Sequence, residues 1–268
     1  MIISGEIHKI AARLKLRPGQ IEKDYVLGWI LKGISENKFL REIIIFKGGT
    51  AIRKIYVKDY RLSEDLDFTY TEESMNEFEI KRQFELMSEW VKEESRIELR
   101  MTNENVNNFG NYSFYLEYTG PLGGTKNSVK VDISVNEMLC NNPEEIEIKE
   151  EYTDLSEIFK IQSYTINEIL SEKMRSLMQR TAPRDLYDLW YLFEQEGYDI
   201  TEYIFDFNKK AEFKDLNPLD FVSTVEGKKE KFKRSWKNEL ENQINDVPDF
   251  EDIWRDLNKH FRKFNKAT

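Results

Sequence analysis

Apolar positions along the chain follow two periods, and the switches between them mark out the elements. Ile7, Ile10, Ala11 and Leu14 recur at helical spacing. Ile21, Tyr25, Trp29 and Ile30 do so again after Arg17-Pro18-Gly19, where Pro18 suits the first turn of a new helix. The run Ile43, Ile44, Ile45 and Phe46 reads as a buried strand that stops abruptly at Lys47, Gly48 and Gly49. Thr50 then opens a helix with Ala51, Ile52, Ile55 and Tyr56 on its apolar side. Next the period falls to two: Leu66, Phe68 and Tyr70 alternate with Asp65, Asp67 and Thr69, the signature of a half-buried strand. Residues 77–91 predict a polar-faced helix, residues 97–101 and 112–118 predict strands, and the asparagine-rich 103–111 predicts a loop. After a turn at Pro121, Gly123 and Gly124, another strand is predicted in which Val129, Val131, Ile133 and Val135 face one way and Lys130, Asp132 and Ser134 the other.

From residue 166 onward the pattern is helical. Ile166, Ile169, Leu170, Met174, Leu177 and Met178 form one arc, and Leu186, Leu189, Trp190 and Phe193 form the next. Two C-terminal sets, one from Phe232 through Trp236 and Leu240 to Ile244, the other from Phe250 to Phe264, are split by Pro248. The pattern predicts an α/β (α+β) fold, with a core over residues 1–165 and a helical region over 166–268.

Composition narrows the setting. With 40% hydrophobic residues the chain has enough apolar material for a core. Cys140 is the single cysteine, so no intrachain disulfide forms and a reducing cytosol is the natural compartment. The apolar runs fall short of a membrane span, and Glu6 and His8 interrupt the place where a signal peptide needs an apolar core. These features predict a cytoplasmic protein with no membrane association. A net charge of −10 argues against nucleic-acid binding over the whole surface but leaves room for a basic track. Lys228, Lys229, Lys231, Lys233, Arg234 and Lys237, with a smaller group at Lys259, Arg262, Lys263 and Lys266, read either as such a track or as solvated helix faces.

The candidate chemistry centres on residues 43–70. A strand entering two glycines and then a helix start leaves free N–H groups beside residues without side chains, which is a geometry that accepts phosphate. Asp65 and Asp67 project from one strand face about 7 Å apart, and hard divalent cations take one or two carboxylates together with phosphate oxygens. The ordered combination points to metal-assisted chemistry on a nucleotide; the plainer reading is a tight turn followed by solvent-facing acids. Asp132 is either a third carboxylate for that site or an exposed strand acid. Lys173 falls inside an apolar helical arc, where a cation must snorkel, pair or reach a site. Asp185 lies on the shoulder of the next apolar stripe and Asp188 points further out, and both types of position serve equally as helix-start partners. Glu22, Lys23 and Asp24 read as helix-start electrostatics for the acids and a solvated lysine.

Gly48-Gly49-Thr50 followed by Arg61-Leu62-Ser63-Glu64-Asp65-Leu66-Asp67 resembles the first motif of the AbiEii/AbiGii abortive-infection toxins, a branch of the polymerase-beta-like nucleotidyltransferase superfamily. The likeness continues in EKDY at Glu22 to Tyr25, in LSEKM ending at Met174, and in Pro183-Arg184-Asp185-Leu186-Tyr187-Asp188, which is similar to the family's closing RDxxD motif. The resemblance implies a mixed-sheet nucleotidyltransferase core with Mg²⁺ or Mn²⁺ on Asp65, Asp67 and Asp132, the last also drawing the proton from the attacking hydroxyl. It implies NTP phosphates over Lys47, Gly48, Gly49, Thr50, Arg61 and Ser63, with Lys173 bracing the triphosphate, Asp185 in the catalytic set, and Arg184 holding Asp185 or reaching phosphate. The implied acceptor is RNA, foremost the 3′ end of tRNA, so that translation stops during phage infection unless a separately encoded antitoxin intervenes. A phosphate on Ser63 would place negative charge beside the metal site and silence it. The rival readings are a nucleotidyltransferase acting on a small molecule or protein, and a non-catalytic nucleotide- or partner-binding protein.

Overall fold

The alternation read from the central strands is realised as the two faces of a seven-stranded mixed sheet. The computed structural model describes all residues except 59, 73 and 125. The chain forms two compact units, Met1–Glu137 with Pro143–Tyr164, and Met138–Asn142 with Thr165–Thr268.

The first unit runs α1 (Ser4–Leu14), α2 (Pro18–Glu36), α3 (Lys38–Ile43), β1 (Ile44–Lys47) and α4 (Gly48–Ala51), which continues as a π-helical turn, Ile52–Tyr56. There follow β2 (Asp65–Tyr70), α5 (Glu77–Ser95), β3 (Leu99–Val106), β4 (Tyr112–Tyr118), β5 (Asn127–Ser134), β6 (Glu144–Ile148) and β7 (Phe159–Ser163). The strand order is β3-β4-β5-β2-β1-β7-β6. β2 runs parallel to β5 and β1 parallel to β7, while the other neighbours are antiparallel. Phe46, Leu66, Phe68, Phe114, Val131 and Ile133 are buried on one face; each contributes about 2 kcal/mol by leaving water. Phe84 of α5 meets Phe114 edge-on with ring centroids 4.9 Å apart.

Three features differ from the sequence expectation. β3 extends through Val106 into the predicted loop, because Asn103 adopts a left-handed conformation (φ 53°) at a register shift between Thr102 and Asn105. Asparagine tolerates that conformation, so part of the asparagine run builds a bulge within a strand. The connecting turn is confined to its end, where the Asn107 side chain accepts from the backbone N–H groups of Phe109 and Asn111. β6 and β7 carry too few alternating apolar residues to announce themselves. Lastly, the helix after β1 begins at Gly48, two residues before Thr50, and then widens into its π turn.

The second unit is helical: α6 (Ile166–Gln179), α7 (Pro183–Trp190) with a π-helical extension Tyr191–Gln195, α8 (Ile204–Phe213), α9 (Phe221–Glu226), α10 (Lys229–Leu240) and α11 (Phe250–Ala267). Its core is aromatic, with Phe221 packing on Phe207 and Phe264 at 5.0 Å and Trp236 on Phe250 at 5.4 Å. The short piece Met138–Asn142 belongs to this unit through Glu168. That buried carboxylate accepts from the backbone N–H groups of Cys140 and Asn141 and pairs with Lys210, which also donates to the Met138 carbonyl. Among the described residues no helix is long and apolar enough to cross a membrane.

Candidate active site

The glycine turn is shaped by what surrounds it. Gly48 has φ +83°, a left-handed conformation that L side chains rarely adopt, and a β-carbon there would overlap the Asp67 carboxylate. A β-carbon on Gly49 would lie 2.7 Å from Nη2 of Arg61 and 3.4 Å from Oγ of Ser63. The start of α4 therefore has Asp67 on one side and Arg61 with Ser63 on another. The Thr50 hydroxyl donates to the Asp65 carbonyl, fastening α4 to the beginning of β2. Lys47 is buried, its Nζ 5.5 Å from the Tyr164 ring centroid, and the Arg61 guanidinium lies over the Tyr60 ring at 5.6 Å.

The acids of β2 occupy the sheet face opposite the phenylalanines. Register pairs Lys47 with Asp67, Asp67 with Asp132, and Asp65 with Lys130. All three aspartates are half-buried, whereas Leu66, Phe68, Val131 and Ile133 between them are fully buried. Lys130 Nζ donates to Asp132 Oδ2 at 2.7 Å. Burial disfavours the Lys130 ammonium, but that bond and the charges of Asp132 and Asp65 raise its pKa above the usual lysine value. Among the described residues no three carboxylate, imidazole or thiol groups are gathered closely enough to hold a metal ion. In donor chemistry alone the three aspartates suit one: carboxylates on adjoining strands beside a side-chain-free turn are the oxygen ligands that Mg²⁺ and Mn²⁺ prefer.

Lys173 and Asp185 lie in the second unit, and the local arrangement explains the inward lysine. Lys173 Nζ contacts Asp185 Oδ1 at 2.6 Å and Asp188 Oδ2 at 2.7 Å, and Arg180 Nε reaches Asp185 Oδ2 at 2.7 Å. Asp188 does not point outward as its place on the helix predicts; it is fully buried. Residues three apart share a helix face, so Asp185 and Asp188 turn together toward one ammonium. Burial works against the Asp185 carboxylate, yet Lys173 and Arg180 hold its pKa below the ordinary range. Arg184 is half-buried in the first turn of α7.

Two groups outside the predicted set are better placed than the sequence indicated. Glu22 and Asp24 are buried, 2% and 5% exposed, so the reading of these acids as helix-start charges is corrected. Asp24 bonds Arg53 Nε and Lys54 Nζ, both at 2.9 Å, and accepts from the Tyr152 hydroxyl at 2.7 Å; Lys54 also pairs with Glu150. Burial penalises its charge, but Lys54 and Arg53 hold the Asp24 carboxyl well below the usual range. The available signal was α2 itself, apolar almost all round and lacking a solvent face for acids. Among the basic clusters, Lys228 donates to the carbonyls of Leu177 and Met178 and so caps α6. Lys229 and Lys233 share Glu251, Lys259 pairs with Asp256, and Lys263 with Asp199. Lys231, Arg234 and Lys237 lie exposed on α10.

Known proteins agree with this architecture. JHP933 from Helicobacter pylori is similar in fold, with a TM-score of 0.58 at 16% identity over 94% of each chain. MenT4, a nucleotidyltransferase toxin from Mycobacterium tuberculosis H37Rv, has a TM-score of 0.52 at 14% identity, covering 89% of this chain and 99% of that one. No curated protein matches the sequence. The family model for the nucleotidyl transferase AbiEii toxin of type IV toxin–antitoxin systems matches residues 29–258, taking in the glycine turn, the β2 aspartates, Lys173 and the α7 motif. The chain therefore belongs to the AbiEii family of nucleotidyltransferase toxins, enzymes that take an NTP as substrate and are paired with an antitoxin.

Proposed function

We propose that this nucleotidyltransferase transfers a nucleoside monophosphate from an NTP to RNA, foremost to the 3′ end of tRNA, and thereby blocks translation. The observation that carries the reading is the packing of Gly48 against Asp67, with Asp132 in register beside it. The glycine turn thus lies against the carboxylates, which supports phosphate binding beside a metal site. The backbone of Gly48, Gly49 and Thr50, with Lys47, Arg61 and Ser63, holds the phosphates. Asp65, Asp67 and Asp132 hold Mg²⁺ or Mn²⁺, which when bound offsets charge on the reacting phosphate. Asp132 takes the proton of the acceptor hydroxyl; as that oxygen bonds to the α-phosphorus, the bond to pyrophosphate breaks. Lys173, paired with Asp185 and Asp188, braces the triphosphate, and Arg184 is a further phosphate contact.

NTP and tRNA are both found in the cytoplasm, where the enzyme acts. A separately encoded antitoxin restrains it, and its release during phage infection produces abortive infection. The pairing of Lys229, Lys233, Lys259 and Lys263 with acids is what favours the second reading, a small-molecule or protein acceptor. Purified protein incubated with Mg²⁺, total RNA and each α-labelled NTP, beside an Asp65→Ala control, separates the two. Label in a tRNA-sized band, absent from the control, supports RNA; label only in protein or small molecules overturns it.

A further inference from the structure

Three consecutive residues near the start of α2 each hold a different segment of the first unit. Glu22 accepts from the backbone N–H of Leu122 at 2.7 Å, fixing the connection between β4 and β5. Asp24 holds Arg53 and Lys54 on the π turn that follows Gly48, and Arg53 also donates to the Tyr60 carbonyl, one residue before Arg61. Between them, Lys23 Nζ bonds Glu64 Oε2 at 3.2 Å. Glu64 lies between Ser63 and Asp65 in the chain. One helical turn spreads these side chains about 100° apart, and the segments that Lys23 and Asp24 reach carry the glycine turn, the Arg61-Ser63 wall and the first β2 aspartate.

The three contacts differ in energetic character. Asp24 is buried, with the Arg53 and Lys54 side chains 11% and 4% exposed, and an ion network so withdrawn from water gains little over apolar packing because desolvation consumes the attraction. Its contribution is to geometry. The Lys23–Glu64 pair is different, with side chains 21% and 40% exposed. A pair so open to water adds at most about 1 kcal/mol, so its removal leaves the fold intact.

We propose that the Lys23–Glu64 pair is a positioning contact: it sets the Ser63-Glu64-Asp65 segment against the glycine turn, inside a frame held by Glu22 and Asp24. The inference rests on the reading that NTP phosphates lie at Gly48 and Gly49. Neither Lys23 nor Glu64 touches the reacting atoms in this account; both act through the residues on either side of Glu64.

The test uses the full chain as Lys23→Glu, Glu64→Lys and the charge-swapped double variant. Binding of ATP, CTP, GTP and UTP with Mg²⁺ is measured by calorimetry, together with kcat and KM for pyrophosphate release and thermal unfolding. Each single variant is expected to raise the NTP Kd and KM about tenfold, since small misplacements at a site are costly. kcat should stay within about twofold and Tm within about 2 °C, because the pair adds under about 1 kcal/mol. The double variant should recover most of the lost affinity, as a direct phosphate contact by Lys23 would not. Single variants that bind like the parent, or a double variant no better than the singles, overturn the positioning role while the nucleotide reading stands. A parent chain that binds no NTP overturns both.

Discussion

Asp67 and Asp132 face each other across the parallel β2–β5 pair, and Asp132 is bonded as well to Lys130. Two carboxylates in register on a half-open face repel one another, and Lys130 offsets part of that charge at Asp132. Asp132→Asn preserves the shape and removes the charge. Its transfer rate is expected to fall by about 10²–10³, the usual cost of removing one electrostatic contact to a reacting centre, with circular dichroism unchanged. A variant retaining a tenth or more of parental activity would exclude Asp132 from the chemistry.

The two glycines predict different failures. Gly48→Ala forces an L side chain into a left-handed backbone, costing about 1–2 kcal/mol, and drives a methyl group into Asp67. Gly49→Ala meets mainly the far end of the flexible Arg61 side chain, so the fold tolerates it, but the methyl occupies space beside Arg61 and Ser63. Urea unfolding should show a lowered midpoint for Gly48→Ala only, while calorimetry shows weakened NTP binding for both. Parental NTP affinity in Gly49→Ala would mean that phosphate does not sit there.

Lys173 neutralises two carboxylates that are almost completely buried. Lys173→Met leaves both without it and should destabilise the protein by about 3–5 kcal/mol, read from the urea midpoint. Adding Asp185→Asn and Asp188→Asn should restore most of that stability but no activity. Recovery of activity along with stability would reduce Lys173 to a structural lysine.

Asp185 also gives the protein an acid limit. Its folded pKa lies below the ordinary value, so its contribution is complete above the unfolded carboxylate pKa of about 3.9 and is lost as pH falls through the folded pKa. As pH falls below about 4, the parent should lose stability more steeply than Asp185→Asn. Equal slopes in urea titrations at each pH would show that the Lys173 and Arg180 contacts do not favour the charged form.

What the sequence disclosed and what it hid divide by the range of the interactions. The alternation of Asp65 and Asp67 with Leu66 and Phe68 is local, and it places both acids on one face without knowledge of any other strand. The helical second unit is legible in the same way, from Phe232, Trp236 and Leu240. Glu22 and Asp24 were misread because Leu122, Arg53, Lys54 and Tyr152 lie between 29 and 128 residues away. Asp188 was misread because a local rule about helix starts was set against a charge on another helix. β6 stayed hidden because it is an edge strand with Glu144, Glu145 and Glu147 exposed and only Ile148 buried.

The acceptor is the part of the reading that salt can test. On α10, Lys229 and Lys233 are occupied by Glu251, whereas Lys231, Arg234 and Lys237 point into solvent. If RNA runs along this helix, those three carry its phosphate contacts, and each contact displaces counterions from the strand. Alanine at all three positions should flatten the plot of log affinity against log salt by up to about 0.7 per lost contact on single-stranded RNA, with Tm unchanged because none is buried. Glu251→Ala frees two further lysines and should act in the opposite direction, tightening RNA binding and steepening the slope. Filter binding of total tRNA across a salt series measures both variants. Slopes unmoved by either change would take α10 out of the RNA track and shift weight to an acceptor other than RNA.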